Sequence, residues 1–181
     1  MSDHEEKTIK SDRIYEGKIL NLRVDTVELP DKKYSKREII EHQKAVGIIA
    51  FDGKDRLWMV NQYRKPIDKV TLEIPAGLIE PSELPKEAAK RELQEEIGFD
   101  SDNIEYLFDT YSSPGFTNEK LSLFLAKDLI PSKLDQDEDE FVERVSISID
   151  DLYDMVFNCE LTDAKSVIAI LIAKRVLEGK E

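Results

Sequence analysis

The chain has 181 residues, 40% apolar and 36% charged, with a formal net charge of -13. That length supports one substantial hydrophobic core and little more, and the acidic balance excludes general binding to nucleic acid or anionic lipid, so a phosphate ligand would need a local basic pocket. The single cysteine, Cys159, excludes an intrachain disulfide and fits a reducing, cytoplasmic setting; no apolar leader marks a signal peptide, and the longest apolar run, 167–173, is too short to span a bilayer.

Residues 1–10 are polar and read as a frayed leader. Leu20, Leu22 and Val24 alternate with Asn21, Arg23 and Asp25, which predicts a strand with an apolar side. Pro30-Asp31-Lys32-Lys33 is a turn signal, and residues 34–42 read as the returning strand. Residues 11–43 are therefore expected to form a small antiparallel β unit. Residues 44–181 follow as the main domain. There, residues 45–51, AVGIIAF, form a continuous apolar run that predicts a buried strand. Asp52-Gly53-Lys54-Asp55 turns it into a partner strand over 57–64, and residues 70–74 form a short extended lead-in.

A helix is predicted over 83–97. Ser82 is its expected cap, Pro85 suits its first turn, and Gly98 suits a left-handed stop. At 3.6 residues per turn Ala89, Leu93 and Ile97 share a core-facing stripe. Glu92 and Glu96 lie side by side on the adjoining stripe. Glu95 flanks them, and Ala88 is expected to keep that face open. Arg91 is four residues before Glu95 and can pair with it. Crowded carboxylates repel one another unless a cation joins them, and hard oxygen donors suit Mg²⁺ or Mn²⁺. A solvated acidic face would explain the glutamates alone.

Downstream, residues 103–112, 121–127 and 141–149 read as strands, with the loop Ser113-Pro114-Gly115-Phe116-Thr117-Asn118 between the first two and an acidic run, DQDEDE, before the third. Asp150 is expected to cap a helix over 151–158, and Thr162 or Asp163 a final helix ending at Gly179. Strands, a helix, strands and two helices in that order predict a mixed sheet between helical layers.

Gly77, Glu83 and the run Arg91-Glu92-Leu93-Gln94-Glu95-Glu96-Ile97-Gly98-Phe99 fill every fixed position of G-x5-E-x7-R-E-U-x-E-E-x-G-U, where U is bulky and apolar. A chance match in a chain this long is rarer than roughly one in a million. The segment resembles the Nudix box, and the resemblance implies an α/β fold, a Nudix-type α/β/α sandwich. The flanks resemble the ADP-ribose pyrophosphatase branch. Gln62-Tyr63-Arg64-Lys65-Pro66, Glu73-Ile74-Pro75-Ala76-Gly77, Ser113-Pro114-Gly115 and Glu140-Phe141-Val142-Glu143 carry that likeness.

The resemblance implies hydrolysis of ADP-ribose to AMP and ribose 5-phosphate, with Mg²⁺ or Mn²⁺ as cofactor. Glu92 and Glu96, with Glu95 in or near the same shell and the Ala76 carbonyl, would hold metal. Arg91 would brace the glutamates. Arg64 would hold a phosphate or the terminal ribose. Arg37, Pro114 and Gly115 would lie in the binding pocket, and Glu140, or alternatively Glu138, would activate water. The branch often stacks an aromatic on adenine; the corresponding residue here is Ile19, which weakens the case for strict ADP-ribose selectivity. The N-terminal unit would cross to a second copy in a homodimer. A different nucleoside diphosphate sugar or a dinucleotide is the competing substrate class. A non-hydrolysing Nudix-like module would usually lack a box glutamate or carry a DNA-binding segment, and neither feature is seen.

Overall fold

The computed structural model describes residues 4–132, 134 and 141–179, and the chain divides into two units. The first comprises the residues up to Lys44 together with Tyr111–Lys120. It holds a three-stranded antiparallel sheet of β1 (Lys7–Glu16), β2 (Leu20–Glu28) and β3 (Tyr34–His42), in that order. The turn signal at Pro30 is realised: Lys32 takes a positive φ of 67°, and the Leu29 N–H donates to the Lys33 carbonyl at 2.7 Å. β1 starts at Lys7, inside the segment read as a leader.

The apolar side of β2 is not its most buried side. Asp25 and Val27 are its buried residues, whereas Leu20, Leu22 and Val24 are only half-buried. Charge pairing makes this tolerable. Arg23 reaches Asp25 at 3.5 Å and Glu41 on β3 at 2.8 Å, so the polar side of the strand is neutralised. The loop 111–120 belongs to this unit because β3 hydrogen-bonds it: the Ile40 N–H donates to the Phe116 carbonyl, and the Asn118 N–H to the Ile40 carbonyl.

The second unit is built on β4 (Ala45–Asp52), β5 (Arg56–Arg64), β6 (Lys69–Glu73), β7 (Ala76–Leu78), α1 (Pro85–Glu92), β8 (Phe99–Asp100), β9 (Asn103–Tyr111), β10 (Lys120–Lys127), β11 (Ile130–Pro131), β12 (Val142–Ser148), α2 (Ile149–Phe157) and α3 (Ala164–Leu177). The main sheet runs β12-β5-β4-β10-β9, with β6 added on β5 and β7 on β4. β4 and β10 are parallel, and the β4–β5 and β5–β12 pairs are antiparallel. A mixed sheet results, as expected.

The continuous apolar run of β4 is needed because both of its faces are covered. Val46, Ile48 and Ala50 pack with Phe124 of β10 and with Ala88, Ala89, Leu93 and Ile97. Ala45, Ile49 and Phe51 point the other way, into a core shared with Ile149 and Leu152 of α2 and with Ala169, Ile170 and Ala173 of α3. This is the α/β/α sandwich. Ala88 is a core residue with no exposed surface, not an opening among the acids.

Both ends of the box helix depart from simple expectation. Its cap is Leu84, not Ser82, which instead sits in a left-handed turn at φ 73°. The Glu87 carboxylate accepts from the Leu84 N–H at 3.0 Å and does the work of a capping side chain. Beyond Glu92 the helix widens into a π turn, Leu93–Ile97, closed by the Gly98 N–H donating to the Leu93 carbonyl five residues back. Gly98, at φ 75°, is the left-handed stop. α2 is capped by Ser148, two residues ahead of the expected Asp150, and α3 by Asp163.

Candidate active site

Arg91 is the hub of the acidic segment. Its Nε donates to Glu83 at 3.0 Å, Nη1 to Glu92 at 2.6 Å and to Glu95 at 2.9 Å, and Nη2 to the Leu78 carbonyl at 2.9 Å. The Arg91–Glu95 pairing read from spacing is present, and the guanidinium reaches further, to Glu83, Glu92 and Leu78. Hydrogen bonding to Glu83, and then the charge of Glu92, holds the Arg91 guanidinium far above its already high ordinary pKa. The same bond pulls the Glu83 carboxyl below its usual value.

Two of the acids are buried where water cannot offset their charge. Glu92 is 6% exposed and Glu96 4%. Glu92 lies against the backbone at Gly77, where an added Cβ would fall inside the space of its carboxylate. Gly77 sits in β7 opposite Val46 with no positive φ. The fixed glycine of the pattern at this position therefore answers a close approach. Glu96 accepts from the Ala76 N–H at 2.9 Å, so β7 and the π turn bring Ala76, Glu92 and Glu96 to one place. A π turn inside an α-helix is a recurrent feature of functional sites.

Among the described residues no three His, Cys, Asp or Glu side chains already converge as a ligand set. Arg91 spreads over Glu83, Glu92 and Glu95, while Glu96 turns to the Ala76 amide. The donors nevertheless fit a hard divalent cation. They are carboxylate oxygens, two of them nine-tenths buried, and one guanidinium is shared by three of the acids.

Arg64, at the end of β5, makes a two-pronged pair with Glu73: Nε to Oε1 and Nη2 to Oε2, each at 2.7 Å. Glu73 is 2% exposed. Burial alone would raise its pKa. Hydrogen bonding from Arg64 and the charge of Lys165 overcome that and lower it to about 2. Neither Glu73 nor Lys165 was assigned a role from sequence. Glu73 lies within the Glu-Ile-Pro-Ala-Gly lead-in, which marks the segment without giving the function of its acid. Nothing in the spacing signals Lys165, which is 92 residues further on.

Four of the remaining candidates belong to the first unit. Arg37 is in the first unit and pairs through two nitrogens with Glu6. Ile19 is 59% exposed in the turn between β1 and β2. Pro114 and Gly115 are in the loop attached to β3, and a Cβ at Gly115 would meet nothing within 4 Å. Glu138 and Glu140 lie outside the described residues. The described flanks of that run attach to the π turn: the Leu134 N–H donates to the Gln94 carbonyl, and Arg144 of β12 to the Ile97 carbonyl. Arg144 also stacks over the rings of Trp58 and Phe99. Among the described residues no helix is long and apolar enough to cross a membrane.

Comparison with known proteins agrees with this geometry. Residues 41–168 match the NUDIX domain model, and residues 6–40 match the nucleoside diphosphate sugar hydrolase N-terminal domain. The chain is 42% identical to an ADP-ribose pyrophosphatase of Bacillus subtilis (strain 168), with 100% of both chains covered. It is 43% identical to a methanol dehydrogenase activator of Bacillus methanolicus, covering 92% of this chain and 91% of that one. A crystal structure of an ADP compounds hydrolase superposes with a TM-score of 0.88 at 24% identity, over 99% of this chain and 97% of the other, which establishes the shared fold. With the full box, its arginine hub and the domain match in agreement, the chain belongs to the Nudix family and is a Nudix hydrolase.

Proposed function

We propose that this enzyme hydrolyses the pyrophosphate bond of ADP-ribose, adding water across the P–O–P bridge to give AMP and ribose 5-phosphate. The observation that carries the substrate assignment is the end-to-end similarity to a protein named ADP-ribose pyrophosphatase, at 42% identity. Glu92, Glu96, Glu95 and the Ala76 carbonyl would hold Mg²⁺, or Mn²⁺ in its place. Such a cation neutralises diphosphate charge and lowers the pKa of bound water. Gly77 leaves room for the Glu92 carboxylate, and Arg91 fixes Glu92 and Glu95 in place. Arg64 presents a planar guanidinium, 40% exposed, to a substrate phosphate. Glu140, or alternatively Glu138, takes the proton of the attacking water. Arg37, Ile19, Pro114 and Gly115 are the further substrate-binding residues of this reading.

We also infer a homodimer formed through the N-terminal unit, whose sheet leaves Ile9, Ile14, Tyr15 and Tyr34 at least half exposed. Light scattering that gives a monomer mass at assay concentration would overturn it. The lone cysteine supports a cytoplasmic setting. Product analysis with ADP-ribose and Mg²⁺, with EDTA as control, tests the activity. AMP and ribose 5-phosphate formed only with metal is the expected result.

A second reading has its own support. The relative named methanol dehydrogenase activator is as similar as the pyrophosphatase, and Ile19 offers an aliphatic face where the branch often offers an aromatic. A dinucleotide or a different nucleoside diphosphate sugar with the higher kcat/KM in the same assay would favour that reading.

A further inference from the structure

Glu73 has more cationic partners than one buried carboxylate requires. Its Oε1 accepts from Arg64 Nε at 2.7 Å and from the Thr71 hydroxyl at 2.5 Å. Its Oε2 accepts from Arg64 Nη2 at 2.7 Å and from Lys165 Nζ. Arg64 is substantially solvent-exposed while Glu73 is almost wholly covered. Hydrogen bonding to Glu73 raises the Arg64 pKa most, and the charges of Glu73, Glu96 and Asp163 add to it. A cation placed in this way suits a substrate phosphate. Its orientation then depends on the buried carboxylate that grips it staying fixed.

The first turn of α3 supplies the anchor. Asp163 caps that helix, accepting from the Ser166 N–H at 3.1 Å, and pairs with Lys165 at 3.0 Å. The Ser166 hydroxyl in turn accepts from the Ile74 N–H at 2.8 Å, next to Glu73 in the chain. Lys165 is therefore fixed from both sides, on a helix start tied directly to the segment that leads into Ala76. An ammonium held this firmly is a built feature and not a surface pairing.

We propose that Lys165 is a positioning residue: bridging Asp163 and Glu73, it holds in place the carboxylate that orients Arg64 toward a phosphate of the substrate. The inference rests on the assignment of Arg64 to phosphate binding made above. It places the anchoring group 92 residues from Glu73 in sequence and on a different helix from the one that carries the box.

The test is steady-state kinetics on the full chain with ADP-ribose and Mg²⁺. Lys165→Met and Lys165→Gln are each expected to raise KM about tenfold and to lower kcat less than threefold, the pattern of weakened substrate binding. Lys165→Arg restores the charge and should return KM to within threefold of wild type. In an Arg64→Met background Lys165→Met should change KM no further, because the two act through one contact. Circular dichroism and thermal melting separate this from a folding role. A variant that melts lower but keeps its KM within twofold overturns the inference. So do effects of Arg64→Met and Lys165→Met on KM that multiply. Wild-type protein that does not cleave ADP-ribose overturns the substrate assignment and this inference with it; wild-type cleavage with an unchanged KM in Lys165→Met overturns this inference alone.

Discussion

Gly77→Ala is the sharpest test of the site's construction. The added Cβ would lie well under 3.0 Å from both oxygens of the Glu92 carboxylate, whereas ordinary contact begins at 3.4 Å. The carboxylate must withdraw by roughly 1 Å or more to restore normal packing. It can do so, because it is the end of a flexible side chain, and the core beneath it need not move. Glu92 is also paired with Arg91 at 2.6 Å, so its displacement disturbs the hub as well. A misplacement of about 1 Å in a catalytic constellation costs on the order of 10²-fold in rate, about 2.7 kcal/mol of barrier. The expected result is therefore a fall of about 10²-fold in kcat/KM with ADP-ribose, a higher Mg²⁺ concentration for half activation, and a melting temperature within a few degrees of wild type. A Gly77→Ala enzyme that keeps kcat/KM within threefold and an unchanged Mg²⁺ requirement would refute the idea that this glycine exists to admit Glu92.

Other outcomes follow from the same structure. Glu73→Gln should be less stable than wild type at neutral pH, because a carboxyl depressed from 4.5 to about 2 contributes stability above its unfolded pKa. That contribution is on the order of 3 kcal/mol. The difference should shrink as pH falls below 4.5 and vanish near 2, and chemical denaturation at a series of pH values would show a constant gap if the reasoning is wrong. Leu93→Ala removes a fully buried side chain between the box helix and the sheet; a loss of about 2–5 kcal/mol is expected in urea unfolding, and less than 1 would contradict the packing described. Glu140→Gln should lower kcat with little change in KM, and turnover within about threefold of wild type would transfer the role of base elsewhere.

The layered architecture was legible because periodicity reports burial. The unbroken apolar run 45–51 has both faces covered, and Ala89, Leu93 and Ile97 recur at the spacing of a helix laid on a sheet. The pairing of Arg91 with Glu95 was also visible, since residues four apart on a helix are neighbours. Where these local rules failed, a longer-range force had won. β2 buries Asp25 and Val27 more deeply than its leucines, beside an Arg23–Glu41 pair that counting apolar residues in one strand does not reveal. The role of Gly77 could not be derived from backbone preference, because what it avoids is the side chain of Glu92 on another element.

By itself the sequence determined the composition of the acidic helix, the strands that support it and the left-handed stop at Gly98, since each depends on residues within a turn or two of one another. Only the tertiary structure decided that the end of this helix opens into a π turn, that Ala76 on β7 meets Glu96, and that Glu73 is shared by Arg64 and Lys165. Those contacts join residues that chain proximity leaves unrelated. They form because burying a carboxylate is costly until a donor arrives, and folding alone brings the donor.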